Sequence, residues 1–223
     1  MLHNPIHNSL DLLNFKYFFY VAYIVIGYKR SLSSGENKYL FFMLLGALGI
    51  ATGILDYFVF SSNLELFVVA DLVSLGFYFM FFYSLKTLRI SGSLLLSTLS
   101  TMIVIAFVFF NIDWPKSDIH LYSNYGYLNT LEYLTFTVFA GLVCVIICTI
   151  VLIKMLKNDF VPLNLLFIVF GMMAYYVGDV IKSGLEIHFI SDLYVHEKFL
   201  ELFFPIRLFV SKGLIITGLL WKN

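Results

Sequence analysis

Six ionisable side chains stand inside runs that are otherwise almost wholly Leu, Ile, Val and Phe: Asp56, Asp71, Glu132, Asp179, Arg207 and Lys212. A charge in the hydrocarbon region of a bilayer costs roughly 2.5 to 3.5 kcal/mol on insertion scales, so such residues face a bundle interior, pair with one another, and mark a pathway or a site. Here two cations meet four carboxylates. Helical spacing groups them further. Asp71, Ser74 and Tyr78 fall at i, i+3 and i+7, and Tyr175, Asp179, Lys182 and Glu186 at i, i+4, i+7 and i+11, so each set forms one polar stripe. In the last apolar run Glu201, Leu208 and Lys212 share roughly one face and Arg207 with Ser211 the next, with Pro205 able to kink the outer turn. Three kinds of chemistry use such a set: acid–base work by a carboxylate pair, binding of a polar ligand, or mutual neutralisation as interhelical glue, with Arg207 on Asp179 and Lys212 on Asp71.

The elements that must position these residues follow from composition. Apolar residues make up 61% of the chain, charged residues 13%, and 25 of 223 residues are Phe, too much apolar surface for a soluble domain of this size to cover. A helix needs about 20 apolar residues to cross a ~30 Å hydrocarbon core. Runs of that kind predict membrane helices at about 15–28, 39–60, 64–85, 93–111, 128–153, 161–185 and 199–221. The first is short unless Leu10 to Leu13 extend it. The expected fold is all-α, a polytopic membrane helical bundle of seven transmembrane helices forming one domain over 1–223. Connections are short and polar, with a tight turn at Ser61-Ser62-Asn63. Two longer loops, Asn111 to Tyr127 and Glu186 to Lys198, fall on one side and can form a cap.

Lys/Arg bias orients the bundle, because positively charged loops stay in the cytoplasm. Eight basic residues (Lys29, Arg30, Lys38, Lys86, Arg89, Lys154, Lys157 and Lys222) fall on one side of this threading and four (Lys16, Lys116, Lys182 and Lys198) on the other, giving N-out and C-in. Only Glu36 and Asp159 among the acids are cytoplasmic, and all five His residues are outer. Acids contribute little to topology, so the asymmetry points to polar chemistry in the outer half, in a cavity between helices 2, 3, 6 and 7. Met1 to Phe15 lacks a basic n-region and a small-residue cleavage site, so the first segment is expected to remain as a helix. The localisation implied is a multi-pass protein of the cell membrane.

Several features imply little chemistry. A formal net charge of zero without a basic cluster gives no argument for nucleic acid, leaving membrane lipid and a lipid or small-molecule ligand as the expected partners. His120, His188 and His196 lack metal-ligand spacing, so no metal and no cofactor are expected. Cys144 and Cys148 stack on one helix face as packed thiols. Gly46, Gly49 and Gly53, and Gly171 with Gly178, suit close helix approach.

The segments Gly46-Ala47-Leu48-Gly49 to Leu55-Asp56, Gly171-Met172-Met173-Ala174-Tyr175-Tyr176-Val177-Gly178-Asp179 and Phe204 to Leu220 resemble the lysoplasmalogenase-like (YhhN) family of polytopic membrane hydrolases. The resemblance covers about 46–220. It implies hydrolysis of a lysophospholipid vinyl ether, with Asp56 and Asp179 as the catalytic acid and base and Arg207 holding one carboxylate ionised. Asp71, Ser74, Tyr78, Glu132, Tyr175, Lys182, Arg207 and Lys212 then form the surrounding substrate-binding or charge network. The alternative is a non-catalytic seven-helix sensor or small-molecule binding module. A rhodopsin-like version, with retinal on Lys212, fits less well: Leu208 stands where that family has an acid, and the third helix lacks its Arg.

Overall fold

With no water to bond to, the backbone of an apolar segment satisfies itself by coiling into helix. In a computed structural model, which describes residues 6–59, 64–85, 88–111, 121–122, 128–129, 131–157, 162–188 and 193–221, the long apolar runs are helices. They are α1 (Ile6–Ser34), α2 (Leu40–Val59), α3 (Leu64–Ser84), α4 (Gly92–Asn111), α5 (Leu131–Leu156), α6 (Leu163–His188) and α7 (Leu193–Leu220), with a short 3-10 turn at Asn37–Tyr39 before α2. Two-residue strands β1 (Leu121–Tyr122) and β2 (Leu128–Asn129) pair antiparallel between α4 and α5. Asn37–Ile54, Leu134–Leu156 and Leu163–Leu185 are long and apolar enough to cross a membrane; Val68–Ser84 and Gly92–Val108 are shorter apolar stretches.

Two boundaries differ from expectation, both because polar residues lengthen a helix without ending it. The first helix reaches back to Ile6, through Leu10 to Leu13, and on through Lys29 and Arg30 to Ser34. Ser33 and Ser34 hydroxyls donate to the Arg30 carbonyl, and Gly35 then stops the helix at φ 67, its N–H bonded to the Ser31 carbonyl. The loop expected from Glu186 to Lys198 is mostly helix, with α6 running to His188 and α7 starting at Leu193. The turn expected at 61–63 lies outside the described residues.

Each helix packs on its neighbours in sequence, and α1 also packs on α7, closing a ring. Glycines set the closest approaches. A Cβ added at Gly46 would meet the Tyr20 carbonyl at 2.5 Å, one at Gly49 the Tyr20 ring at 2.6 Å, and one at Gly171 the Ser211 carbonyl at 2.7 Å. Aromatic rings fill the interior: Tyr23, Phe42, Phe81, Phe82 and Phe136 are fully buried, with Phe42 edge-on to Tyr23 at 6.1 Å and to Phe81 at 5.0 Å. The periphery is apolar as well; Phe18, Leu96, Val104, Phe107 and Leu156 are among the exposed side chains. Hydroxyls in the helices bond back to carbonyls a turn earlier, as Thr149 does to Val145 and Ser211 to Arg207.

One end of the ring gathers basic residues. The Tyr39 ring lies 5.4 Å from the Arg30 guanidinium and 5.2 Å from the Lys38 ammonium, and its hydroxyl accepts from Asn164 Nδ2 at 3.0 Å, joining the α1–α2 connection to the start of α6. Lys38 also pairs with Glu36 at 2.7 Å. Lys154 Nζ donates to the Arg89 carbonyl at 3.0 Å, joining the α3–α4 connection to the end of α5.

Candidate functional site

Arg207, on α7, forms a hydrogen-bonded ion pair with Asp179, on α6. Gly178 makes the space for it: a Cβ there would collide with the Arg207 Cγ and Cδ atoms. The guanidinium also lies over the Tyr175 ring, 4.9 Å from its centroid. Carboxylate and ring thus come from successive turns of one helix, an i, i+4 pair that presents both to the same guest. The pairing of Arg207 with Asp179 expected from sequence is therefore present.

The second expected pairing, Lys212 with Asp71, is not. Lys212 is only 5% exposed, and among the described residues it has no carboxylate within ion-pair reach. Its ammonium instead faces three tyrosine rings, at 4.5 Å from the Tyr175 centroid, 5.3 Å from Tyr23 and 5.5 Å from Tyr20. Each ring presents the negative face of its quadrupole to the cation, an attraction of up to about 2 kcal/mol when water is excluded. Tyr20 is the central residue of α1 and Tyr175 lies at the centre of α6, so the enclosure sits mid-way along the helices. The Tyr23 hydroxyl, wholly buried, has no hydrogen-bond partner among the described residues.

Other expected site residues surround this centre at varying distance. Asp71 is half-buried on α3, has an interaction of its own, and acts electrostatically on Tyr20 and Tyr175. Ser74 is half-buried one turn on, and Tyr78 is buried edge-on to Tyr176 at 6.0 Å and to Phe42 at 6.5 Å. The α3 stripe therefore reaches α6 through Tyr78. Lys182 is half-buried and engaged, one turn beyond Asp179. Asp56 lies on α2 and Glu132 on α5, but their side chains are outside the described residues, as are those of His120, His188 and His196. Among the described residues no group of three or more His, Cys, Asp or Glu side chains gathers as a metal site.

Tyr20 and Tyr23 are the residues that sequence reasoning passes over. Expectation places the polar centre between helices 2, 3, 6 and 7; the rings that enclose Lys212 come from α1 and α6. The signal is present as Tyr17, Tyr20 and Tyr23 at three-residue spacing on the first helix, opposite Gly53 and Gly49 of α2, which leave room for the rings of Tyr17 and Tyr20. No protein-family model, characterised protein or solved structure matches this chain.

Proposed function

We propose that the chain is a seven-pass integral membrane protein of the cell membrane, amino terminus outside and carboxyl terminus in the cytoplasm, whose interior polar centre binds a small molecule or lipid. It acts as a binding module or sensor. The observation that carries this reading is the Lys212 ammonium, held mid-bundle against three tyrosine rings and left without a carboxylate among the described residues. A buried charge without a counter-ion is expensive, and a site that keeps one is suited to a guest that brings the missing partner. The ring order of the helices and the collection of Arg30, Lys38, Arg89 and Lys154 toward one end support the seven crossings and the orientation.

The test is a thermal-shift survey of the purified chain in detergent against membrane lipids and small polar metabolites, alongside a search for turnover. Stabilisation by one ligand class without product formation, surviving Asp179→Asn, is the expected result. A flat response to every class overturns the reading.

A second reading has one contact in its favour. Arg207 holds Asp179 as a carboxylate would be held in the lysoplasmalogenase-like reaction, ready to activate water. Release of an aldehyde from a lysoplasmalogen, abolished by Asp56→Asn and by Asp179→Asn, establishes that hydrolase and removes the binding module; release that survives both changes removes the hydrolase.

A further inference from the structure

We propose that the Lys212 enclosure binds the carboxylate of a monoanionic amphiphile, with the Lys212 ammonium as counter-ion, the Tyr23 hydroxyl as second donor, and the apolar tail directed toward the α1–α7 seam. The inference rests on the binding reading above and names the ligand class of the same site.

Charge balance sets the head group. Arg207 and Asp179 neutralise each other. Asp71, on α3, has an interaction of its own. Among the described residues the Lys212 ammonium has no carboxylate within ion-pair reach, and its neighbours are three ring faces that soften its burial without supplying an acceptor. A monoanion balances it; a dianionic phosphate would leave a buried negative charge. Donor count agrees. Tyr23 is 0% exposed and its hydroxyl lacks a partner among the described residues, while its ring forms one wall of the enclosure. A buried hydroxyl ordinarily finds a partner, so one left open on a ring whose centroid lies 5.3 Å from the ammonium offers a second donor to the same acceptor group. A carboxylate offers two oxygens, one for each.

The tail follows from what lies next to the head. Phe19, one turn before Tyr23 on α1, meets Phe209, one turn before Lys212 on α7, edge-on at 5.8 Å. Phe19 is buried and Phe209 is half-exposed at the periphery, so this pair is the inner and outer face of one seam between the first and last helices. An acyl chain lying along the seam keeps its methylenes among rings and lipid, and its carboxylate at the depth of Lys212. The same carboxylate chemistry arrives from two sources, a long-chain fatty acid in the bilayer or a short carboxylic acid in water.

The experiment uses the full chain in detergent micelles with a fluorescent long-chain polyene fatty acid and its methyl ester, which has the same tail without the charge. Saturable binding of the acid, at least tenfold tighter than the ester, is expected. Lys212→Met should bring acid and ester to equal affinity, and Tyr23→Phe should weaken the acid about fivefold while leaving the ester unchanged. Acid and ester binding equally to the unaltered protein overturns the proposal, as does full acid affinity in Lys212→Met. The acid–ester comparison needs no variant, so a Lys212→Met chain that fails to fold leaves the proposal exposed to disproof. Displacement of the probe by butyrate assigns the carboxylate to a water-borne ligand, and resistance to butyrate assigns it to lipid; both uphold the carboxylate site. Saturable ester binding with no preference for the acid sinks this inference alone, whereas no saturable binding by any probe, together with a flat thermal survey, sinks the binding reading too.

Discussion

Arg207 is constrained from three directions at once, by the Asp179 carboxylate, the Tyr175 ring and the bare backbone of Gly178. Removing one partner of a buried pair leaves the other charge unpaired, so Arg207→Met should destabilise the chain by about 3 kcal/mol, measured by unfolding in mixed micelles. Most of that loss should return in the double variant Arg207→Met with Asp179→Leu, which replaces both charges by apolar groups. If the double variant is as unstable as the single, the pair contributes through packing and not through charge. Gly178→Ala tests the same contact from the other side, since its Cβ would occupy the position of the Arg207 stem; a loss of about 1 to 3 kcal/mol is expected from overpacking.

Helices, not loops, build this centre, and glycines decide how near they come. Gly49→Leu should push α1 away from α2 by displacing the Tyr20 ring, costing about 1 to 3 kcal/mol and loosening the Lys212 enclosure. Gly184→Ala and Gly213→Ala are the contrast: no described residue lies within 4 Å of the added methyl, both positions are helical, and each change should be neutral or stabilising by up to about 1 kcal/mol. A comparable loss at Gly213 would contradict the close-approach explanation, since backbone entropy favours alanine over glycine in a helix. This contrast also explains what could be read without a structure. Asp179 and Arg207 are legible because two opposite charges in neighbouring apolar runs have few alternatives in lipid, and the Gly46, Gly49 and Gly53 stripe is legible because small residues recur along one face. The Lys212 enclosure is not, since a ring face binds a cation with no fixed spacing and Tyr20 and Tyr23 look like any membrane aromatics. The ends of α1 and α7 are missed for a related reason. Residues such as Lys29, Arg30, Glu197 and Lys198 end an apolar run, but their long side chains are good helix formers, and the coil continues past the point where hydrophobicity stops.

At the scale of the whole molecule, the seven-crossing proposal makes the connections alternate between two faces. Cysteines placed at Gly35 and Ser91 should react with a membrane-impermeant maleimide only after the cytoplasmic face is opened, and one placed at 118 should react in intact cells. Labelling of 35 and 118 from the same side contradicts the threading. The ring has one further consequence, which concerns time. Its closing contact joins α1 to α7, and the three rings around Lys212 wait on α1 and α6 for a side chain that follows in α7. At usual synthesis rates the interval from α1 to α7 is roughly ten to forty seconds. Tyr20 and Tyr23 spend that interval without Lys212, and from the synthesis of Tyr175 onward, about 2 to 7 seconds, the nascent chain carries all three rings with no cation between them. Synthesis of α7 and assembly of the centre are therefore coupled, and a chain cut short before α7 lacks the cation that its three rings enclose.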